Sequence, residues 1–361
     1  MKLINTHARN NNIDSMKTED RGVSVLVAAY NAETTIRRCL DSLLQQTLGD
    51  VEVVCVDDCS TDSTREILQD YANKDCRVKV LRTEENSGQA VARNIGLKAA
   101  TKPFVCMVDA DDWLSADALE SAMDVFEQYP QTDCVLFRLM RFFGDECDNR
   151  ADVVEYGLPD KLLDGGFFTG KEAIKLSIDG WRLHGLYVTR TELHRRIPFD
   201  TSTRLYSDDN TTHLHYLHSR EVRACKGQYF YRQHASMTSR FNVHHFDMIE
   251  ANYSLKRNLT TENVDRDIIA TLERHRWNNF VVIYRTYLKH RRELREELRK
   301  EVEQRLHNML GTFSFNELST SQKWKPGYWP LRNGTAFDVQ QKMYMLYKRL
   351  FDKAYISEQL A

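Results

Sequence analysis

From Val23 to Phe137 the chain alternates short apolar runs with amphipathic stretches, and that alternation constrains the fold more than any other feature. VSVLVAA (23–29), VEVVCVDD (51–58), VKVL (78–81), FVCMVD (104–109) and CVLF (134–137) have the length and composition of strands. Between them, Ile36, Leu40, Leu43 and Leu44 fall on one face of a helix, and Ile67, Leu68 and Tyr71 mark the next. A small-residue helix spans 89–100, and Leu119, Ala122 and Phe126 mark a further one that Ser115 can cap. Strand and helix alternating at this spacing imply βαβ units: an α/β fold with a mixed, mainly parallel sheet flanked by helices. In such sheets ligands bind outside the carboxyl ends of the strands. Asp57–Asp58 and Asp109–Asp112 close two different runs, so two strands aim carboxylates at one edge.

From about 140 to 200 the pattern is less regular. Thr169 and Glu172 have capping-box spacing, and Trp181, Leu186 and Tyr187 add a bulky apolar patch. Beyond about 245 the chain turns to long helices, and no proline falls between Pro198 and Pro326 to interrupt them. The chain divides into a polar arm (1–21), an α/β unit (22–243) and a helical region (244–361). Three roles stay open for the helical region. It covers the core and one side of the edge, pairs with a second copy through Trp277, Phe280, Val281 and Tyr284, or lays MYMLYKRLF (343–351) on a membrane surface.

Composition removes other classes. A formal net charge of −2 gives no electrostatic reason to expect nucleic acid as a partner. The 8 cysteines are scattered without a CxxC pair, which argues against a zinc knuckle or a disulfide framework and for buried thiols. No apolar run approaches the roughly 20 residues that span a bilayer, and the polar N-terminus lacks the apolar core of a secretory signal. The expected location is cytoplasmic, with peripheral contact at the inner face of the cell membrane as its outer limit.

The chemistry sits in three stretches. In CMVDADDWLS, Asp109, Asp111 and Asp112 are like charges at close quarters, and two carboxylates 4 Å apart repel by roughly 4 kcal/mol at an effective dielectric of 20. A hard divalent cation reverses that sign. The competing reading is a helix start, with one Asp as cap and another complementing the dipole; it accounts for Asp112 but not for Asp109 at a strand end. In VDDCSTDST (56–64), a strand-end acid can accept hydrogen bonds from a base or ribose, or Ser60, Thr61 or Asp62 can cap the next helix. In NSGQAVARNIG (86–96), Gly88 permits a tight turn or close backbone approach and Arg93 offers a forked donor to phosphate or acid. The segment matches neither GxGxxG nor GxxxxGK[ST].

In this order, VSVLVAAYNAETTIRRCLDSLLQQ, VVCVDDCSTDST, ENSGQAVARNIGLKAA and FVCMVDADDW resemble the family 2 glycosyltransferases, which have a GT-A fold. The resemblance is close over 22–114 and looser through FDTSTRLYSDDNTTHL (199–214) and YFYRQHASMTSR (229–240). It implies that Ala28, Tyr30 and Glu33 line a nucleotide pocket, that Asp58 contacts the base, and that Gly88 and Arg93 sit nearby. Asp109 and Ala110 would approach the ribose, and Asp111 would hold a divalent metal (Mn or Mg) that carries the diphosphate. Asp209 matches the family's catalytic base and Asp208 the acid before it, where relatives have Glu-Asp. His234 matches a histidine near diphosphate and metal, with Ser236 and Thr238 beside it. His184-Gly185-Leu186-Tyr187 departs from relatives, which often have lysine before Leu-Tyr, and that bears on the acceptor side.

The implied activity is inverting transfer of a sugar from a nucleotide-diphosphate donor, most commonly a UDP-sugar, to a hydroxyl of a saccharide or lipid-linked saccharide acceptor in glycan or polysaccharide synthesis. Two alternatives differ in kind. A sugar nucleotidyltransferase would carry a Gly-rich basic loop after the first strand, where AAYNAETT stands. A non-catalytic sugar-nucleotide-binding protein on the same fold would have no need of both Asp111 and Asp209.

Overall fold

The computed structural model describes residues 21–143, 153–233, 241 and 243–351. β1 (Val23–Ala29) and β2 (Val51–Asp57) are covered on both faces, and accordingly read as continuous apolar runs. The one polar side chain inside β1, Ser24, donates to Glu52 on β2 at 2.6 Å. α1 (Ile36–Leu44), α2 (Thr64–Lys74) and α3 (Gln89–Ala99) alternate with β1, β2, β3 (Val78–Arg82) and β4 (Phe104–Met107). These strands lie parallel in the order β3-β2-β1-β4. The chain therefore crosses from β3 to the far side of β1, and the loops after β1 and β4 diverge at a topological switch point.

The other half of the sheet is mixed. It uses β5 (Trp113–Leu114), α4 (Ala118–Gln128), β6 (Thr132–Phe143), β7 (Val153–Tyr156), α5 (Asp160–Leu163), α6 (Gly170–Ile178), β8 (Tyr187–Arg190), α7 (Thr191–Arg196), α8 (Ser207–Leu217) and β9 (Glu221–Gln233). β8 inserts antiparallel between β4 and β6, and β6 runs parallel to β9, completing the order β3-β2-β1-β4-β8-β6-β9-β5 with β7 paired to β6. Thr169 and Glu172 form the capping box expected of them at the start of α6. Ser115 does not cap α4. Its hydroxyl donates to Asp117 at 2.7 Å and accepts the Gln228 N–H at 3.0 Å, tying the turn to β9 instead.

Beyond the sheet lie α9 (Asp247–Thr261), α10 (Arg266–His290), α11 (Glu296–Leu310), α12 (Thr320–Trp324) and α13 (Gly334–Phe351). They enclose a second core in which Trp277, Phe280 and Val281 are fully buried against Phe313, Phe315 and Phe337. The apolar stripe that offered itself to a second copy is thus the interior of this chain, and Tyr284 packs against the same cluster. Truncating Trp277 to alanine would cost about 3–5 kcal/mol by cavity formation. The cysteines divide differently from expectation: Cys39, Cys55, Cys106, Cys134 and Cys225 are buried free thiols, but Cys59 is half-buried and Cys76 exposed. Neither of those two sits in a strand, where both faces are covered.

Candidate active site

At the carboxyl edge the loops after β1 and β2 are laced together. Tyr30 is exposed at the end of β1, and Asn31 follows with φ of 50°. The Asn31 N–H donates to Ser60 Oγ at 3.1 Å, and its side-chain oxygen accepts the Thr61 N–H at 2.9 Å. Glu33 accepts the Ser63 N–H at 3.0 Å, and Asp62 accepts the Thr64 N–H at 3.0 Å, so both serve the start of α2. Asp57 is fully buried, accepts the Ser60 N–H at 3.0 Å and pairs with Arg82 at 3.3 Å.

Asp58 organises the next loop. One carboxylate oxygen accepts the Thr83 hydroxyl at 2.8 Å and the Ser87 N–H at 2.9 Å; the other accepts the Gly88 N–H at 2.8 Å. A carboxylate has about four accepting positions, so the second oxygen keeps one. Gly88 has φ of 91°, a conformation that costs a side chain but not glycine. Ala28, half-buried near the end of β1, lies in the same layer, with Ala29 accepting the Asp58 N–H at 2.8 Å.

The acids after β4 have separate duties. Asp109 is half-exposed and accepts from Arg93 at 2.6 Å and from Gln89 at 3.1 Å. Arg93 is buried on α3, with the Phe199 ring 5.3 Å from its guanidinium and Asp208 3.6 Å from its second terminal nitrogen. Burial disfavours the guanidinium charge, but Asp109 and Asp208 hold its pKa above the ordinary value. Arg93 thereby joins the β4 end to the start of α8. Ala110 is buried and Asp111 half-buried.

Asp112 neither caps the next helix nor faces the edge. It is buried, accepting from the Tyr229 hydroxyl at 2.7 Å and from the Arg232 N–H at 2.8 Å. α4 begins only at Ala118, too far along for Asp112 to cap. Burial first, then the charges of Asp109 and Asp111, push its carboxyl well above the usual range. The Tyr229 hydroxyl also accepts the Asp109 N–H at 3.1 Å, so one phenol on β9 fixes both ends of the acidic turn.

Asp208 and Asp209 occupy the first turn of α8, directly after Tyr206 with φ of 65°. Left-handed backbone in a non-glycine residue is strain that its surroundings must hold. The hold comes from Asp200, which accepts from Ser202 N–H and Asn210 at 2.9 Å and from Ser254 at 3.0 Å. Asn210 also donates to the Ala251 carbonyl at 2.9 Å, bracing α8 on α9. Burial, and then the charge of Asp208, raise the Asp209 carboxyl well above its ordinary value.

His184 is turned into the fold. Its ring is buried, with Nε2 3.1 Å from the Phe137 carbonyl and Nδ1 accepting the Leu186 N–H at 3.2 Å. His234, Ser236 and Thr238 lie outside the described residues. Among the described residues no group of three or more His, Cys, Asp or Glu converges as a metal cage. The donors at the edge are hard carboxylate oxygens, the type that suits a magnesium-like ion completed by phosphate and water. Sequence reasoning missed Tyr229 and Phe199 as supports of the site, although both lie inside the two looser motif stretches.

Known proteins point the same way. The model for "Glycosyl transferase family 2" matches residues 24–172. Over those residues the chain is similar to the family 2 glycosyltransferases. An uncharacterized glycosyltransferase, EpsJ, of Bacillus subtilis is 33% identical over 187 residues, 52% of each chain. The poly(ribitol-phosphate) beta-N-acetylglucosaminyltransferase TarS of Staphylococcus aureus is 40% identical over 119 residues, 32% of this chain and 20% of TarS. The match thus spans about half of EpsJ and a fifth of TarS. The crystal structure of S. aureus TarS 1–349 in complex with UDP-GlcNAc superposes with a TM-score of 0.67 at 22% identity, over 90% of this chain and 92% of that one. The GT-A fold of the glycosyltransferase domain and the helical region after it are shared with that structure.

Proposed function

We propose that this protein is an inverting glycosyltransferase that moves a sugar from a UDP-sugar to an acceptor hydroxyl during cell-surface polysaccharide synthesis. The observation that carries this reading is the Arg93 bridge, which joins Asp109 beside the switch point to Asp208 in the first turn of α8. Residues 22–243 form the transferring unit in this reading, with 244–361 as its helical support and 1–21 as an arm. Ala28, Tyr30, Glu33 and the free accepting position on Asp58 receive the nucleotide, and Gly88, Arg93, Asp109 and Ala110 bound its ribose side. UDP-GlcNAc, the donor bound to the TarS fragment, is the first to try.

In the transfer, Asp209 takes the proton of the acceptor hydroxyl while that oxygen forms its bond to the anomeric carbon. The bond from that carbon to the diphosphate breaks, its electron pair goes to the departing nucleotide, and one displacement inverts the centre. Asp208, paired through Arg93, keeps a second negative charge beside the base. Asp111, with His234 as its family counterpart implies, would hold a divalent cation, and that cation would neutralise charge developing on the diphosphate. The acceptor in this reading is a saccharide or lipid-linked saccharide; TarS, by its name, glycosylates a different hydroxyl-rich polymer, poly(ribitol-phosphate).

Asp209→Asn should lower kcat by at least 10³-fold, on the order expected for loss of a general base plus its positioning, while UDP-GlcNAc binding measured by calorimetry stays within about twofold. Turnover near the wild-type rate removes Asp209 from the role of base. Incubation with a nucleoside triphosphate and a sugar phosphate separates the nucleotidyltransferase alternative, which alone releases pyrophosphate.

A further inference from the structure

Among the described residues, nothing covers an apolar stripe that α13 turns to solvent. Phe337 and Gln341 bury its inner side against the helical core, whereas Val339, Met343, Leu346 and Leu350 repeat at i, i+4, i+7 and i+11 on the opposite side. Met343 is 67% exposed and Leu350 59%, values that a helix packed within its own chain would not show. Two indoles border the stripe. Trp329 accepts from Gln340 on α13 through its carbonyl and donates to the Trp324 carbonyl, both at 3.4 Å, and Trp324 is 76% exposed.

Charge decides what covers this face. Residues 320–351 contain Lys323, Lys325, Arg332, Lys342, Lys348 and Arg349 against Asp338 alone, in a chain whose net charge is −2. On α13 itself Lys342 and Arg349 stand at i−4 and i+3 from Leu346 and so border the stripe. A second copy laid on this face would bring two strongly cationic surfaces together, and their repulsion would oppose the apolar contact. An anionic bilayer reverses that sign and also takes up exposed leucine, methionine and tryptophan at its headgroup boundary. No described helix is long and apolar enough to cross a membrane, so the contact is peripheral.

We propose that the outer face of α13, with Lys342 and Arg349 along its edge and the exposed Trp324 and Trp329 near it, is a docking surface for anionic lipid bilayers. Lysine and arginine stems lie along the apolar stripe while their charged ends reach phosphate. The inference stands apart from the donor site, since none of these side chains belongs to it.

The test is vesicle co-sedimentation with the full chain. Vesicles of phosphatidylglycerol and phosphatidylcholine should pull down the protein at least tenfold better than phosphatidylcholine alone, and salt should weaken the effect. Lys342→Gln with Arg349→Gln should lower binding by about tenfold, from a cost of about 1 kcal/mol per basic residue discounted for the Lys342–Asp338 pair. Leu346→Asp with Leu350→Asp should abolish it, and both variants should melt like wild type because the altered side chains touch neither core. Equal binding to neutral and anionic vesicles overturns the proposal. So does absence of vesicle binding combined with a dimer that the leucine variant splits, which assigns the face to a second copy.

Discussion

At the scale of single residues, what distinguishes Asp209, the base in the proposed reaction, is its surroundings rather than its identity. Asp208 and Asp209 are chemically alike, yet Asp208 is spent on Arg93 and Asp209 is lifted by burial and by its neighbour's charge. A carboxylate with a raised pKa is a stronger base near neutrality, at the expense of activity in acid. The acid limb of kcat against pH should therefore lie above the ordinary aspartate value of about 4. Removing the neighbouring charge lowers the Asp209 pKa, so Asp208→Asn should move that limb to lower pH even as the loss of the Arg93 contact lowers the plateau. A limb that stays in place assigns the titration to another group. The adjacent acids after β4 obey the same logic with the opposite outcome: Asp112 is lifted too, but it faces Tyr229 and a backbone N–H, and holds the turn.

At the scale of elements, β1, β2 and β4 were legible because strands buried on both faces leave unbroken apolar runs, β3 because its edge position leaves the alternation VKVL, and the helices between them because they carry one apolar side. The switch point followed from topology rules, and with it the edge where the acids gather. β9 was not legible. Its pairing with β6 shifts register between Leu136↔Ala224 and Arg138↔Gln228, a bulge that destroys the period of two on which strand recognition depends. Gly227 lies in that bulge, where a Cβ would come 2.5 Å from the Ala118 Cα on α4. β8 escaped for another reason. It is four residues long, and only its place between β4 and β6 makes it a strand. Tyr229 was hidden with β9, and the element it belongs to supplies the prediction. Tyr229→Phe keeps the ring but deprives Asp112 of a donor and the Asp109 N–H of its acceptor. Leaving those buried groups unpaired should cost about 1–3 kcal/mol in urea unfolding. The loosened turn should also raise KM for the donor more than it lowers kcat; an unchanged KM would detach Tyr229 from the site.

At the scale of the whole molecule, α8 is the joint between the sheet and the helical region. α8 packs against α6 and α9, and Asn210 reaches from it to both Asp200 and the Ala251 carbonyl. The same helix carries His213 and His215, and His184 lies beneath them on the way into β8. Burial holds these rings neutral, lowering His213 to about 3 and His184 and His215 to about 4. The sign follows from where protons bind. Below about pH 6.5 the unfolded chain protonates these histidines while the folded one does not, so stability falls as pH drops from about 6.5 towards 4. Each ring contributes up to about 1.4 kcal/mol per pH unit in that window. Glu52, held at about 2 by donors including Ser24, Thr101 and Lys79 against the opposing effect of burial, adds loss only below about 4.5. Asp112 and Asp209, whose raised values favour the protonated fold, act in the opposite direction as acid is added. Burial lowers His194 and His275 as well, so two acids offset only part of the effect of five histidines, and the urea midpoint should still be lower at pH 5.5 than at pH 7.5. His184→Gln should flatten that pH dependence while lowering stability at pH 7.5, where the glutamine cannot reproduce both backbone contacts. Equal midpoints at the two pH values would mean that the buried rings are not what limits the fold in acid, and would shift the weakness to the carboxylates.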